Sequence, residues 1–330
     1  MVSLYPLVVN ECIKIVKKRR LFVVLLILAA IIPMFVYAQM KVTENARKQF
    51  GTEDWRVELR QKIVDYTRSI GSARVPEEWK QIRKIEVQRA QYYLDRDVNP
   101  NSPNGVTFTR EFMKNAVGLF IPLMVMVIAA DLISGEHTSG TIKLLLTRPV
   151  ERWKILLSKW IALVLFVSVV VVATALLCYL ISGAVFGYGG WDMPVFFGFQ
   201  LAGGDIDFSY VRPIEQWLYL IMELGLVWYA ALIVGSMSLM ISVLVRSTAA
   251  GMGIMLALLI SGTILSNMVS NWETAKYLFM VNLELTNYLT GALPPIKGMS
   301  LPFSLAVLTA WGAASVVVSF VVFTKKDVLN

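Results

Sequence analysis

The chain has 330 residues, 56% of them apolar, and a mean hydropathy of +0.62, whereas a soluble domain of this size holds about 45–50% apolar residues. The excess is gathered in runs, which makes this a polytopic membrane protein. The net charge of +8 comes from cations at the ends of those runs, with no basic groove interleaved with aromatics, so no nucleic-acid partner is expected.

Residues 1–20 come first. Val8, Val9, Cys12, Ile13 and Val16 share one side, and Asn10, Glu11, Lys14, Lys17 and Lys18 the other. The spacing predicts an amphipathic helix with a basic face, lying on the inner leaflet and closed by Arg19 and Arg20. Residues 21–40 form the first spanning candidate, close to the roughly 20 residues a bilayer needs. Val36-Tyr37-Ala38 before Gln39 also has the form of a signal-peptide cleavage site. The long apolar run and the amphipathic helix ahead of it speak against cleavage.

Residues 41–110 are a polar insert with 14 Lys/Arg and 10 Asp/Glu, and long loops translocate largely regardless of charge. Thr52 can cap a helix with Glu53 and Asp54 in its first turn. Trp55, Leu59, Ile63, Tyr66 and Ile70 then fall on one helix face. Gly71 stops it, and Pro76 opens a second helix with Trp79, Ile82 and Ile85 apolar, running to about Leu94. The insert is expected to be an external helical hairpin, serving either substrate or partner contact or only as a packed lid.

Five more spans follow. The second is 111–133, with Pro122 inside it. The third, 160–187, ends in Gly183-x-x-x-Gly187, a pattern that can bring helices close. Residues 188–215 form an external loop, 216–245 the fourth span and 249–269 the fifth. Residues 270–302, with a short helix expected through Tyr288, form an external or re-entrant segment. The sixth span is 303–324. This is an all-α architecture of six transmembrane helices with both termini cytoplasmic, because the cations at residues 14–20, in the central loop, and at Arg246, Lys325 and Lys326 then collect on one side.

The central loop, 134–159, is the long polar interruption between spans two and three. Lys143, Arg148, Arg152, Lys154 and Lys159 outnumber Glu136 and Glu151. Within it, residues 141–147 have helix-forming character, Ser139 can cap them and Pro149 stops them. Exposed Ile142, Leu144, Leu145 and Leu146 held under the bilayer suit docking to a partner protein, or simply a helix hugging the membrane.

No Gly-x-x-x-x-Gly-Lys-Ser/Thr loop occurs, so no nucleotide site is expected on this chain, nor a metal or other cofactor. Cys12 and Cys178 are unlikely partners by position, and the lone His137 reads as a solvated loop residue. Glu223 stands about two turns into the fourth span, where a carboxylate costs on the order of 2.5–3.5 kcal/mol to insert. It is either a cation, proton or pathway residue, or a structural hydrogen bond near the outer interface. Asp131, at the end of the second span, is accounted for by an interface position.

Glu136, Gly140, Thr141, Leu144-Leu145-Leu146, Pro149, Arg152 and Lys159 together resemble the signature of ATP-binding-cassette permeases of the type-2 exporter class. The six spans, the N-terminal helix and the large insert between spans one and two agree with that family. The resemblance implies a dimer of six-helix permeases with separate cytoplasmic ATPase subunits that carry ATP and Mg. It implies that Glu136, Ser139, Gly140, Thr141, Ile142, Leu144, Leu145 and Leu146 form the coupling helix that docks the ATPase. The family often has a second charge after the glutamate, where this chain has His137 and Thr138. The function so implied is ATP-driven export across a bacterial plasma membrane. The alternatives are force transmission or sensing through the insert, or ion-coupled transport through Glu223.

Overall fold

The apolar runs fold as helices. A computed structural model describes residues 4–51, 54–100, 102–142, 144, 149–202, 204–268 and 272–325. In chain order the helices are α1 (Leu4–Lys17), α2 (Arg20–Phe50), α3 (Trp55–Ile70), α4 (Glu77–Asp95), α5 (Gly105–Ala116), α6 (Phe120–Ala129) and α7 (Ser134–Thr138). They continue with α8 (Arg152–Phe186), α9 (Gln216–Leu244), α10 (Thr248–Met268) and α11 (Leu301–Lys325). Among the described residues five helices, within α2, α8, α9, α10 and α11, are long and apolar enough to cross a membrane, and α5 with α6 makes a sixth span if counted as one. The chain is a multi-pass membrane protein built mostly of helix.

The second span departs from the straight helix expected over 111–133. It is broken at residues 117–119, and α5 and α6 meet at 66°. Pro122, which has no N–H to bond the carbonyl four residues back, sits in the first turn of α6, where that bond is not needed; Pro33, by contrast, is carried inside the unbroken α2. Of the two glycines expected to bring helices close, Gly183 does so, while Gly187, at φ +91° and with open space where a Cβ would be, ends α8. Gly105 donates from its backbone N to the carbonyl of Gly187 at 2.9 Å, and a Cβ on Gly105 would lie 3.1 Å from Gly183 Cα. Small residues thus seat α5 against the end of α8.

Span α9 is the centre of the bundle, packed by α5, α6, α8, α10 and α11. One continuous apolar core runs through these helices and α2. Residues 273–288 form three short 3-10 turns, Glu273–Tyr277, Phe279–Asn282 and Leu285–Tyr288, in place of the single helix expected. Phe279, Leu283 and Leu285 insert into the same core.

The insert holds the two expected helices. Asp54, not Thr52, is the N-cap of α3, accepting from Arg56 N at 3.0 Å; Thr52 lies outside the described residues. On α4 the apolar trio is split: Ile85 is buried, while Trp79 and Ile82 are exposed. Helix α2 runs on past Met40, so the insert begins as its continuation.

Within this mostly helical fold, residues 188–215, expected as an external loop, carry four short strands. Strand β1 (Pro194–Phe197) pairs antiparallel with β4 (Arg212–Glu215), and β2 (Gln200–Ala202) with β3 (Asp205–Asp207), a nested pair of hairpins. Leu59, Ile85 and Tyr93 of the insert share a second core with Phe196, Phe199 and Ile206. Tyr92 stacks on Phe208, with ring centres 4.9 Å apart. The insert and the hairpins therefore form one small body at the end of the bundle that holds the break in the second span.

Candidate functional site

The charges at the opposite end converge. Helix α1 packs one edge of its polar side against the bundle. Glu11 and Ile15 are buried, and Val9, Ile13 and Val16 are exposed. Glu11 and Lys14 turn inward because they find partners there, while Lys17 and Lys18 stay exposed. Lys159 Nζ lies 2.7 Å from Glu11 Oε2 and 3.4 Å from Glu136 Oε1. Lys14 Nζ lies 3.0 Å from Glu11 and 2.9 Å from Glu136. Two cations and two carboxylates thus close a ring, and the Thr141 hydroxyl donates to Glu136.

A second group adjoins it. Asp131 takes Lys18 at 2.8 Å on one oxygen and Arg20 at 2.9 Å on the other. Thr248, in the first turn of α10, donates to the same carboxylate at 3.3 Å. Ser242 of α9 accepts from the backbone N–H of Ile133 and Ser134 at 3.1 and 2.9 Å and donates to the Ala130 carbonyl at 2.8 Å. Gly135 permits this packing, since a Cβ there would sit 2.2 Å from Asp131 Oδ1 and 2.9 Å from Lys18 Nζ. Helices α1, α7, α8, α9 and α10 are joined at this point.

Each carboxylate here is paired, which meets the desolvation cost of burying it. Burial pushes the Glu136 carboxyl up, but the Lys159 charge and the hydrogen bonds from Lys14 and Thr141 outweigh it and hold it down to about 2. Burial pulls Lys14 down, and its hydrogen bond to Glu136 with the Glu11 charge reverses this, so Lys14 ends above the usual lysine range.

The ring anchors one edge of the central loop. Among the described residues Ser139 is the C-cap of α7, with its hydroxyl donating to the Gly135 carbonyl at 2.7 Å and touching the Thr141 hydroxyl at 2.9 Å; the helix it was expected to cap lies largely outside the described residues. Gly140 follows at φ +70°, in the left-handed region used to end helices. A Cβ on Gly140 would meet nothing within 4 Å, so its value lies in backbone freedom, not close approach. Ile142 and Leu144 are helical; Ile142 is buried, and Leu144 is 70% exposed. Leu145 and Leu146 lie outside the described residues. Arg152, Lys154 and Lys159 belong to α8, which begins eight residues before the expected start of the third span. His137 is only partly exposed, at the end of α7.

Glu223 is far from this cluster in sequence and unlike it in chemistry. It is fully buried in α9, and neither carboxylate oxygen has a hydrogen-bond partner among the described residues.

Residues 80–329, about three quarters of the chain, match a family described as protein of unknown function, DUF2705. The chain belongs to the DUF2705 family. The match begins within α4 and covers every element from there to α11, and so the central loop, Lys159 and Glu223, but not α1, α2 or α3. Two relatives come from Bacillus subtilis (strain 168). The uncharacterized protein YhcI is 26% identical over 326 residues, 98% of this chain and 99% of that one. YdbK, described as an uncharacterized membrane protein, is 28% identical over 219 residues, 64% of this chain and 80% of that one.

The sequence reading picked out Glu136 but missed its partners. Glu11 and Lys159 are separated by 148 positions, and no local pattern links them. Gly135 beside Glu136 was the available signal, since a glycine in a short helix marks close approach.

Proposed function

We propose that this chain is the membrane-spanning permease subunit of an ATP-driven exporter. It works with a second permease and with separate cytoplasmic ATPase subunits that bind ATP and Mg. The observation that carries this reading is the central loop, which offers the exposed Leu144 beside a buried ion ring formed by Glu11, Lys14, Glu136 and Lys159. A partner that pushes this loop pushes on helices locked together, so the displacement is passed to the bundle as a rigid-body motion. Nucleotide then biases two packings of the helices.

In this reading both termini and the central loop are cytoplasmic, as the excess of cations there favours. The body built from α3, α4 and the β-hairpins is external. The membrane is the plasma membrane of a bacterium. Cysteines placed at Ser69 and Ser102 should react with an impermeant thiol reagent applied to intact cells, and cysteines at Ser139 and Ser247 should not. Labelling of Ser139Cys from outside would overturn the arrangement. Co-purification of an ATPase, stimulated by the exported compound, is the direct test of the activity.

A second reading is supported by a specific contact. Arg89 of α4 donates to the Thr290 carbonyl at 3.0 Å, and a Cβ on Gly291 would lie 2.4 Å from Phe199 Cβ. The external body is thereby clasped to the segment between α10 and α11. Bundle motion would reach it directly, which suits force transmission to an external partner without cargo. Retained export after Arg89→Ala, with normal membrane levels, would count against this reading.

A further inference from the structure

We propose that Glu223 is an intramembrane proton-binding site, protonated in this conformation and paired with Arg110 in another. The inference does not depend on the exporter reading. Glu223 is 0% exposed, and both its oxygens lack partners among the described residues. An ionised carboxylate so placed carries an uncompensated desolvation cost, which the neutral acid largely avoids.

The charges that act on it come from α5: Arg110, Glu111 and Lys114. Arg110 is buried, yet its direct partners lie elsewhere. It meets Glu111 at 3.1 Å and the Pro100 carbonyl at 3.4 Å, and its guanidinium carbon lies 5.5 Å from the centre of the Tyr219 ring. Tyr219 stands one turn before Glu223 on α9, and residues four apart share a helix face. Arg110 therefore meets α9 one helical turn before Glu223. Tyr93 of α4 also faces Arg110.

Of the other elements packed on α9, α6 and α10 contain no titratable side chain, and α11 has only Lys325, at its end. Helix α8 brings the buried Cys178, and the 285–288 turn brings Tyr288. Strand β1 carries no titratable side chain and β4 carries Arg212 and Glu215, at the mouth of the bundle. Arg110 and Lys114 are thus the counter-ions at hand for the ionised form. Both ride on α5, which ends at the 66° break. A shift of α5 along α9 would exchange Glu111 for Glu223 as the partner of Arg110 and release the proton to solvent. Return of α5 would take a proton up.

The test is infrared spectroscopy of the full chain in lipid nanodiscs, titrated with pH. The expected result is a protonated-carboxyl stretch near neutral pH that shifts in D2O, is lost in Glu223→Gln and moves in Glu223→Asp. Arg110→Gln should move the loss of this band to higher pH. If wild type and Glu223→Gln have the same carboxyl region, Glu223 is ionised and the proposal fails. If Glu223→Gln does not fold, displacement of the band in Glu223→Asp decides the matter, and an unmoved band overturns it. A band that titrates alike with and without Arg110 removes the exchange.

Discussion

The two ends of the bundle treat buried carboxylates in opposite ways. At one end Glu11, Glu136 and Asp131 each meet at least two cations within 3.4 Å. At the other, Glu223 has no bonded partner among the described residues. The first arrangement fixes helices to one another, because a buried pair loses most when only one member is removed. The second leaves a group whose charge state can change without breaking a bond. A rigid base and a titratable interior are what a helix bundle needs if a push at one end is to alter the environment at the other.

The sharpest way to break this comparison is Lys159→Met. It strips Glu11 and Glu136 of the more buried of the two lysines they share and leaves Lys14 alone between two carboxylates, so the loss should be about 3–5 kcal/mol. A fall in the melting temperature of the purified protein and in its monodisperse yield would show it. Adding Glu11→Gln and Glu136→Gln should restore much of the loss, since the stranded charges go with it. Glu223→Met is the counterpart. It removes an unpaired group, so stability should change by less than about 1 kcal/mol or rise.

A pH series sharpens the contrast. Glu136 is held at about 2 in the fold, against roughly 4.3 for a free glutamate. A lowered folded-state value contributes stability that is fully present above the unfolded value and is lost as pH falls toward the folded one. The stability difference between wild type and Glu136→Gln should be constant above about pH 4.5 and shrink on acidification toward pH 2. A difference that does not vary over that window would mean Glu136 is not held by cations.

Smaller effects are expected at the loop and the insert. Gly140→Ala forces a side chain into the left-handed region at a cost of about 1–2 kcal/mol, read as faster hydrogen exchange through residues 134–142. Asp54→Ala removes the cap of α3 and should cost about 1 kcal/mol, confined to exchange in the first turn of that helix.

The spans were legible because each is a long apolar run, and a run of that length has one use. The inward face of α3 was legible because Trp55, Leu59, Ile63, Tyr66 and Ile70 follow helical spacing. The pairing of Glu11 and Lys14 of α1 was not, since their partners on α7 and α8 are ones that no local spacing displays. The strands at 194–215 were missed because they are three or four residues long. Their signal was present: Val195, Phe196, Ile206 and Ile214 around Gly203-Gly204, the β-branched and aromatic content of short hairpins. The break in the second span had Gly118 and Pro122 as its local signals, neither decisive, since Pro33 lies inside the unbroken α2. For the site, Glu136 and the loop were readable, while Asp131, which pairs with Lys18 and Arg20, passed as an interface residue.

The central claim is that the loop after Glu136 docks an ATPase, and Leu144→Ser with Leu145→Ser tests it most directly. An apolar anchor at the centre of an interface is commonly worth at least about 2 kcal/mol. Leu144 is exposed, so the fold should lose little by its change. The expected result is a permease at normal membrane levels that retains less than about a tenth of the ATPase in pull-down and loses export. A double variant that holds the ATPase and exports at the wild-type rate would contradict the account.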